Sequence, residues 1–591
     1  MLLRAAAAGT AVAALVAAAF AAAPRTMLDI LGPLSEMDGS PASISADALS
    51  LLRLFSAAAA VLAATTGLAL VVARDRLEAA LEPWIRASQV FSADRRRELR
   101  EWIAGNPTEV AALAAITAGG LILRSALLDS PIRYDEAHTF LRWARRGLLD
   151  IVSDYAEPNN HVFHTLWVHL SYKLFGAGPA SIRLPALLAG TLTIPASFAV
   201  ARRIFDSRAA LTAAALVAAS PVLVDFSANA RGYSLVVLFF VMALLLATWL
   251  EEEGGTAVWP LLAALFACSL WSVPTAAYSL AATLTWAVLS AQRRTYVAKS
   301  AAATAIIGAL LAAVLYLPAV VRGGLAKITS NRYVQPLPPA AWREKIVSEL
   351  ALSAQAWSDD WSLVLYFVLA VGLCGAFAGL AVDGRLRRLF IAAVVPTALL
   401  IAAQRVAPEP RVLQFLLPLA LILTGAGVSL ALKALERFGG RTPLAAFATF
   451  IVTSVAYTTW AQAGNLSDTC TLQRGRFLDA EAIVDRLANE LRAGDAIVTR
   501  APSVASGAVD YYLLLRGLPA SYRRGLGGDA AVLAGVQRAF VVIVEHNAVC
   551  VRESPERQAA FTLTHPALRH SFSESELVFE GAVSRVHLLH R

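Results

Sequence analysis

The sequence predicts a polytopic α-helical membrane protein carrying a small α/β domain in its C-terminal part. Three observations carry that reading. Apolar residues make up 57% of the chain and charged residues only 16%, and mean hydropathy is +0.59; a soluble globular chain carries about a quarter charged residues. The apolar residues fall in about thirteen nearly uncharged runs, and a run of about 20 residues spans a bilayer as a helix. Beyond about residue 463 the pattern changes to short β-branched strands alternating with amphipathic helices.

The runs lie near 5–23, 49–73, 109–128, 183–201, 209–226, 234–250, 256–273, 275–291, 299–321, 361–382, 388–404, 411–432 and 443–462. Backbone polar groups must be satisfied internally in lipid, so these are helices rather than open strands. The first run, short and Ala-rich before Pro24, also reads as a signal peptide; either reading leaves 24–48 outside. The net charge of +8 comes mainly from Arg residues set between runs. That pattern is a topology signal and not a nucleic-acid footprint. Arg95–Arg97 and Arg100, Arg202, Arg203 and Arg208, Arg293, Arg294 and Lys299, Arg385, Arg387 and Arg388, and Lys433, Arg437 and Arg441 all fall on one side if the runs alternate. That side is the cytoplasm, and an Ala- and Arg-rich composition points to a bacterial inner membrane.

Three units follow. Residues 1–108 hold two N-terminal spans and a basic cytoplasmic linker. Residues 109–462 form the membrane domain, with long outward loops at 129–182 and 322–360. Residues 463–591 form the outward α/β domain. In it, 478–492 and the segment after Pro502 to Arg516 read as helices, and 495–499 and 539–545 as buried strands. Four cysteines show no CxxC and no metal spacing. Cys470 and Cys550 lie in the oxidising compartment and are candidates for a disulfide; Cys268 and Cys374 fall in spans.

The first outward loop carries the chemistry. Asp135 and Glu136 open a short amphipathic helix whose Arg142, Arg145 and Arg146 face away from its apolar side, as in a helix lying at the membrane interface. A carboxylate at that surface can take a proton from a sugar hydroxyl. The plain alternative is that Asp135 is a helix N-cap and Glu136 favours the dipole. His138, His161, His164 and His169 share the loop. They match no metal motif, and interfacial hydrogen bonding is the better reading, although a divalent metal at Asp135 fits the ligand types.

The order of motifs resembles a known family. An outward DE pair after one span is followed by PNNHVFHTL, SIRLPALLAGTLTIP, SPVLVDFSANARGYSL and PRVLQFLLPLALILTGAG. This is similar to the polytopic GT-C glycosyltransferases, above all the bacterial group related to protein O-mannosyltransferases and lipid A aminoarabinose transferases. The resemblance covers about 109–462. It implies that Asp135 engages the acceptor with Glu136 in the same motif, and that Asn159, Asn160 and His161 line the substrate site. It also implies that Arg231 and Tyr233 belong to the second-loop pattern and that Arg411 faces a lipid phosphate. Two departures stand out. Asn160 precedes His161 and Val162 where the aminoarabinose transferases have Lys before two prolines. The second-loop carboxylate of those enzymes is missing near Tyr233.

The expected activity is transfer of a sugar from a polyprenyl-phosphate donor to an outward glycan, lipid or protein acceptor. It would invert configuration, with Asp135 as base and Arg231 and Arg411 on the leaving phosphate. No phosphate-binding Gly loop for a nucleotide sugar appears. The alternatives are a transporter or flippase of lipid-linked saccharides, which would want intramembrane charge and related halves, and an assembly partner acting through its tail.

Overall fold

A computed structural model describes residues 2–24, 46–72, 74–250, 252, 255–329, 335–359, 361–439, 442–463, 477–500, 504–526, 530–544, 563, 566–582 and 584–591. Cys470, Cys550, Arg332, Tyr333, Arg441 and Glu545–Asn547 lie outside the described residues. Each apolar run named above sits on a helix. Among the described residues seven helices are long and apolar enough to cross a membrane, or eight if one bent pair counts as a span. The others are shorter or less apolar.

The bent pair shapes the site. Helices Ser207–Ala219 and Pro221–Ser227 meet at 57°. Ser220 ends one helix and caps the next, and Pro221 cannot donate to the carbonyl of Val217, so the first helix stops there. A break inside a membrane bundle leaves carbonyls that need donors. Arg124, fully buried on the helix Pro107–Ser125, supplies them. It donates to Ala218 O at 2.7 Å, Val217 O at 3.0 Å and Ser227 Oγ at 3.1 Å. The break is followed by Asn229–Gly232, which lead into the helix Tyr233–Ala247.

Charged residues meet at the other end of the same helices. Arg202 binds Glu109 at 2.6 Å, Arg203 binds Glu98 at 2.7 Å and also Glu252, and Arg208 binds Glu436 at 2.7 Å. Lys433 reaches Asp206 at 2.6 Å. Sequence patterning groups these basic loops on one face, and the helices bring them together. Small residues let spans approach: a side chain at Gly375 would press on the backbone of Gly427 in the neighbouring helix.

Two helices lie where loops were expected. The basic linker is one amphipathic helix, Arg74–Gly105, and much of the 322–360 segment is the helix Pro339–Ser358. The latter is pinned beside the Arg411 segment, since Trp342 Nε1 donates to Val406 O at 3.1 Å.

The tail domain is α/β. Its five-stranded sheet runs β2-β1-β3-β5-β4, with β1 Asp495–Arg500, β2 Arg523–Leu526, β3 Arg538–Val544, β4 Glu574–Glu580 and β5 Ser584–His590. Strands β1, β2 and β3 are parallel, and β5 is antiparallel to β3 and β4. The helix Val504–Leu515 docks the domain on the 129–182 segment. Tyr511 and Tyr512 are buried against Ile132 and Phe140. Tyr511 Oη donates to Ala177 O at 2.5 Å, and Ile132 N donates to Tyr512 Oη at 3.3 Å. Burying two tyrosines stabilises the joint by several kcal/mol, at roughly 25 cal/mol per Å² of apolar surface.

Candidate active site

The site is assembled on a rigid knot of buried ion pairs. The short helix Tyr134–Thr139 starts after Arg133. Arg133 forks onto Asp225, with Nη2 to Oδ1 at 2.7 Å and Nη1 to Oδ2 at 3.0 Å, and so ties the first loop to the broken span. Glu136, at the third helical position, reaches back to the Arg133 N–H at 3.0 Å, half of a capping box. Its oxygens also accept from Arg183 Nε at 2.9 Å and Nη2 at 2.7 Å, and from Ala230 N at 2.7 Å. Burial pushes the Glu136 carboxyl up, but Arg183 and Arg133 and the Ala230 N–H outweigh it and hold it below its ordinary value. Glu136 is 0% exposed, so each of its contacts is with the protein's own frame.

Asp135 turns the other way and collects the remaining cations. Arg231 Nη1 makes a short ion pair to Asp135 Oδ2, and Arg411 Nη1 reaches the same oxygen at 3.2 Å. Asn159 Nδ2 donates to Oδ1 at 3.1 Å. Burial raises the Asp135 carboxyl, yet the charges of Arg231 and Arg411 and the Asn159 amide prevail and keep it below the usual carboxylate range. The side chain is 30% exposed, so a ligand can reach it. Asp135 is therefore not a cap.

The arginines are themselves positioned. Arg231 Nη2 donates to Asn159 Oδ1 at 3.0 Å, and its guanidinium lies 5.2 Å from the centre of the Tyr233 ring. Tyr233 packs edge-on against His161 at 5.0 Å. His161 Nδ1 accepts from Gly232 N at 2.8 Å; burial, then Arg231, His164 and Arg411, push its pKa well below the ordinary value, so the ring is neutral. His164 is fully buried with neither ring nitrogen bonded among the described residues. Burial and Arg231 push it down to about 3. Arg411 also pairs with Glu409 at 2.7 Å.

The structure thus brings together Asp135, Asn159, His161, Arg231, Tyr233 and Arg411. It leaves two candidates apart. Glu136 faces the frame. Asn160 donates to Ile151 O at 2.8 Å and Asp154 O at 2.9 Å and so holds the loop's shape. Sequence reasoning passed over Arg133, Arg183 and Asp225, which anchor the whole assembly. Their signal was a charged residue at the mouth of an apolar run, which expects a buried partner. His138 pairs with Glu157 at 3.0 Å, and His169 Nδ1 lies 2.7 Å from Ala144 O. Among the described residues no three His, Cys, Asp or Glu side chains are grouped to hold a metal ion.

Residues 161–320 match the family of dolichyl-phosphate-mannose-protein mannosyltransferases. No curated protein matches the chain by sequence. Among solved structures, ArnT from Cupriavidus metallidurans bound to undecaprenyl phosphate aligns at 14% identity and TM-score 0.52, over 80% of this chain and 97% of that one. The apo form of the same protein aligns at 13% identity and TM-score 0.53, over 81% and 98%. The Archaeoglobus fulgidus oligosaccharyltransferase aligns at 13% identity and TM-score 0.46, over 73% and 68%. Over residues 161–320 the chain thus resembles the dolichyl-phosphate-mannose-protein mannosyltransferases, and over most of its length it shares the fold of ArnT.

Proposed function

We propose that the protein transfers a sugar from a polyprenyl-phosphate donor to an acceptor outside the cytoplasm, by one inverting displacement. The observation that carries this is the convergence of Arg231 and Arg411, 180 residues apart in sequence, on the single carboxylate Asp135. Two cations at the mouth of a membrane bundle form a receptor for a lipid phosphate. ArnT, which shares the fold, has been captured with undecaprenyl phosphate. The basic loops gather at the opposite end, which supports a site on the outward face of a bacterial inner membrane.

In the empty site the arginines neutralise Asp135, and a carboxylate so held is a poor base. A donor phosphate competes for the same guanidinium groups. As they turn to it, Asp135 is freed and its proton affinity rises. The acceptor hydroxyl then gives its proton to Asp135, and its oxygen attacks the anomeric carbon. The bond from that carbon to the phosphate oxygen breaks, and the phosphate leaves with the electron pair, its added charge stabilised by Arg231 and Arg411. Glu136 holds the helix that presents Asp135 and does not touch substrate. A transporter needs intramembrane charge free to act; Arg124, buried within a span, is committed to backbone carbonyls.

The test is purified protein in nanodiscs with radiolabelled polyprenyl-phosphate sugars and an envelope extract as acceptor source. Release of polyprenyl phosphate coupled to labelled product is expected. Transfer from nucleotide sugars but from no lipid-phosphate sugar would refute the reading.

A further inference from the structure

Between the first outward loop and the tail domain lies a cleft of about 600 Å³, the size of a small-ligand site. One wall is the loop, with Tyr134, His138, Arg142 and Arg146; the other is the tail, with Ser506, Gly507, Asp510 and Arg523. We infer that this cleft binds the carbohydrate part of the acceptor, so that the acceptor is a glycan and the tail supplies half of its binding site. This rests on the transferase reading and names its second substrate.

Three observations lead there. The cleft abuts the helix that carries the proposed base: Tyr134, next to Asp135, and His138, one turn after Tyr134 on the same side, both line it. Its polar groups come as preformed ion pairs. Arg523 is paired with Asp510 on the tail wall, and on the loop wall Arg142 pairs with Glu157 at 2.7 Å and Asp154 at 3.5 Å. A carboxylate beside a guanidinium offers an acceptor next to donors. That matches neighbouring sugar hydroxyls, each of which donates and accepts. The third observation is an aromatic wall: Tyr134 and His138 stack at 5.9 Å with ring planes 14° apart, suited to the C–H face of a sugar ring. Among the described residues the aliphatic lining is Leu141, so they give acyl chains no trough here. Nor do the described residues of the cleft form the apolar pockets that seat peptide side chains.

The tail's close approach is itself built in. A side chain at Gly507 would meet the Tyr134 ring at 3.0 Å. Glycine there lets the tail helix close the cleft against the loop.

The experiment uses the full chain in nanodiscs and two readouts. Binding is measured by saturation-transfer NMR with neutral oligosaccharides, short Ser/Thr peptides and phosphoglycolipid vesicles as separate probes. Acceptor KM and donor KM are measured with the envelope extract. Oligosaccharide binding that is lost in Arg523→Ala and in Asp510→Ala, with acceptor KM raised at least about tenfold and kcat moved less, is the expected result. Binding of the glycolipid only when it carries its sugars identifies a lipid-borne glycan and supports the same site. Arg146→Glu, at an exposed rim position, perturbs the cleft without touching the tail fold and should raise acceptor KM as well. Peptide binding in place of sugar, or unchanged acceptor KM in all three folded variants, overturns the inference and leaves the transferase reading intact. Absence of any donor turnover in the wild type would instead sink that underlying reading.

Discussion

Replacing Arg411 by Ala tests the phosphate receptor with least damage to the frame. Arg411 contributes one contact to Asp135 at 3.2 Å, while Arg231 and Asn159 still hold the carboxylate. The variant should therefore fold. A hydrogen bond to a charged group contributes roughly 1.5–3 kcal/mol. Arg411 is 27% exposed, and solvent screening favours the lower part of that range, about 1.5–2 kcal/mol. At 1.36 kcal/mol per decade that is roughly 10- to 30-fold in donor kcat/KM. Arg411→Lys keeps the charge but loses the planar fork, so it should recover part of the loss. The assay is a donor titration at saturating acceptor, then the reverse. Unchanged donor kinetics, or a defect confined to the acceptor, would refute the phosphate role and leave Arg411 as an interfacial cation.

Three other outcomes follow from the same geometry. Arg183→Met removes the bidentate partner of buried Glu136, leaving it the Arg133 and Ala230 N–H groups and the more distant Arg133 guanidinium, and should cost about 3 kcal/mol, the lower end for breaking a buried pair, read as a lowered unfolding temperature in detergent; adding Glu136→Gln should recover much of it. The pH profile carries a sign: Asp135 is held below the usual carboxylate range of about 4 in the free protein. It stays ionised as pH falls, so kcat/KM should keep its plateau down to about pH 4 and fall only below it. The stability from its ion pairs is likewise present above the unfolded pKa and lost as pH drops through the depressed folded value; an acid limb centred near pH 6 would contradict the assignment. Tyr511→Phe removes the bond to Ala177 O and should weaken tail docking by about 1 kcal/mol, seen as faster amide hydrogen exchange in the helix Val504–Leu515.

Much of this was legible in the sequence because membrane folding obeys few rules. Long uncharged runs must be helices, so the order of helices could be read directly, and Arg between them marks one face on which to expect the cytoplasm. Asp135, Arg231 and Arg411 stood out because charge at the mouth of a span is costly unless it serves something. Their meeting on one carboxylate was not readable, since it depends on the 57° break at Pro221, which carries Arg231 to the first loop. A Ser-Pro pair inside an apolar run is the local signal for that break. Asp135 and Glu136 look interchangeable as adjacent carboxylates. A helix turns about 100° per residue, so one faces Arg231 and the other Arg183. The edge strands β2 and β4, and β5 between β3 and β4, went unread because polar residues interrupt their apolar ones. Tyr511 and Tyr512 carry no docking signal in the sequence, and only the docked loop shows why two tyrosines are buried there.

The central claim is that Asp135 is the base and Glu136 its support, and Asp135→Asn against Glu136→Gln separates them most directly. The amide at 135 keeps a hydrogen-bond acceptor for Arg231 but cannot take a proton. Transfer by folded Asp135→Asn protein should fall by at least about 100-fold, within the 10²–10⁴ range of general-base catalysis, while polyprenyl-phosphate binding persists. Glu136→Gln should lose stability more than turnover per folded molecule. Near-normal transfer by Asp135→Asn, measured in protein that still binds polyprenyl phosphate, would contradict the account.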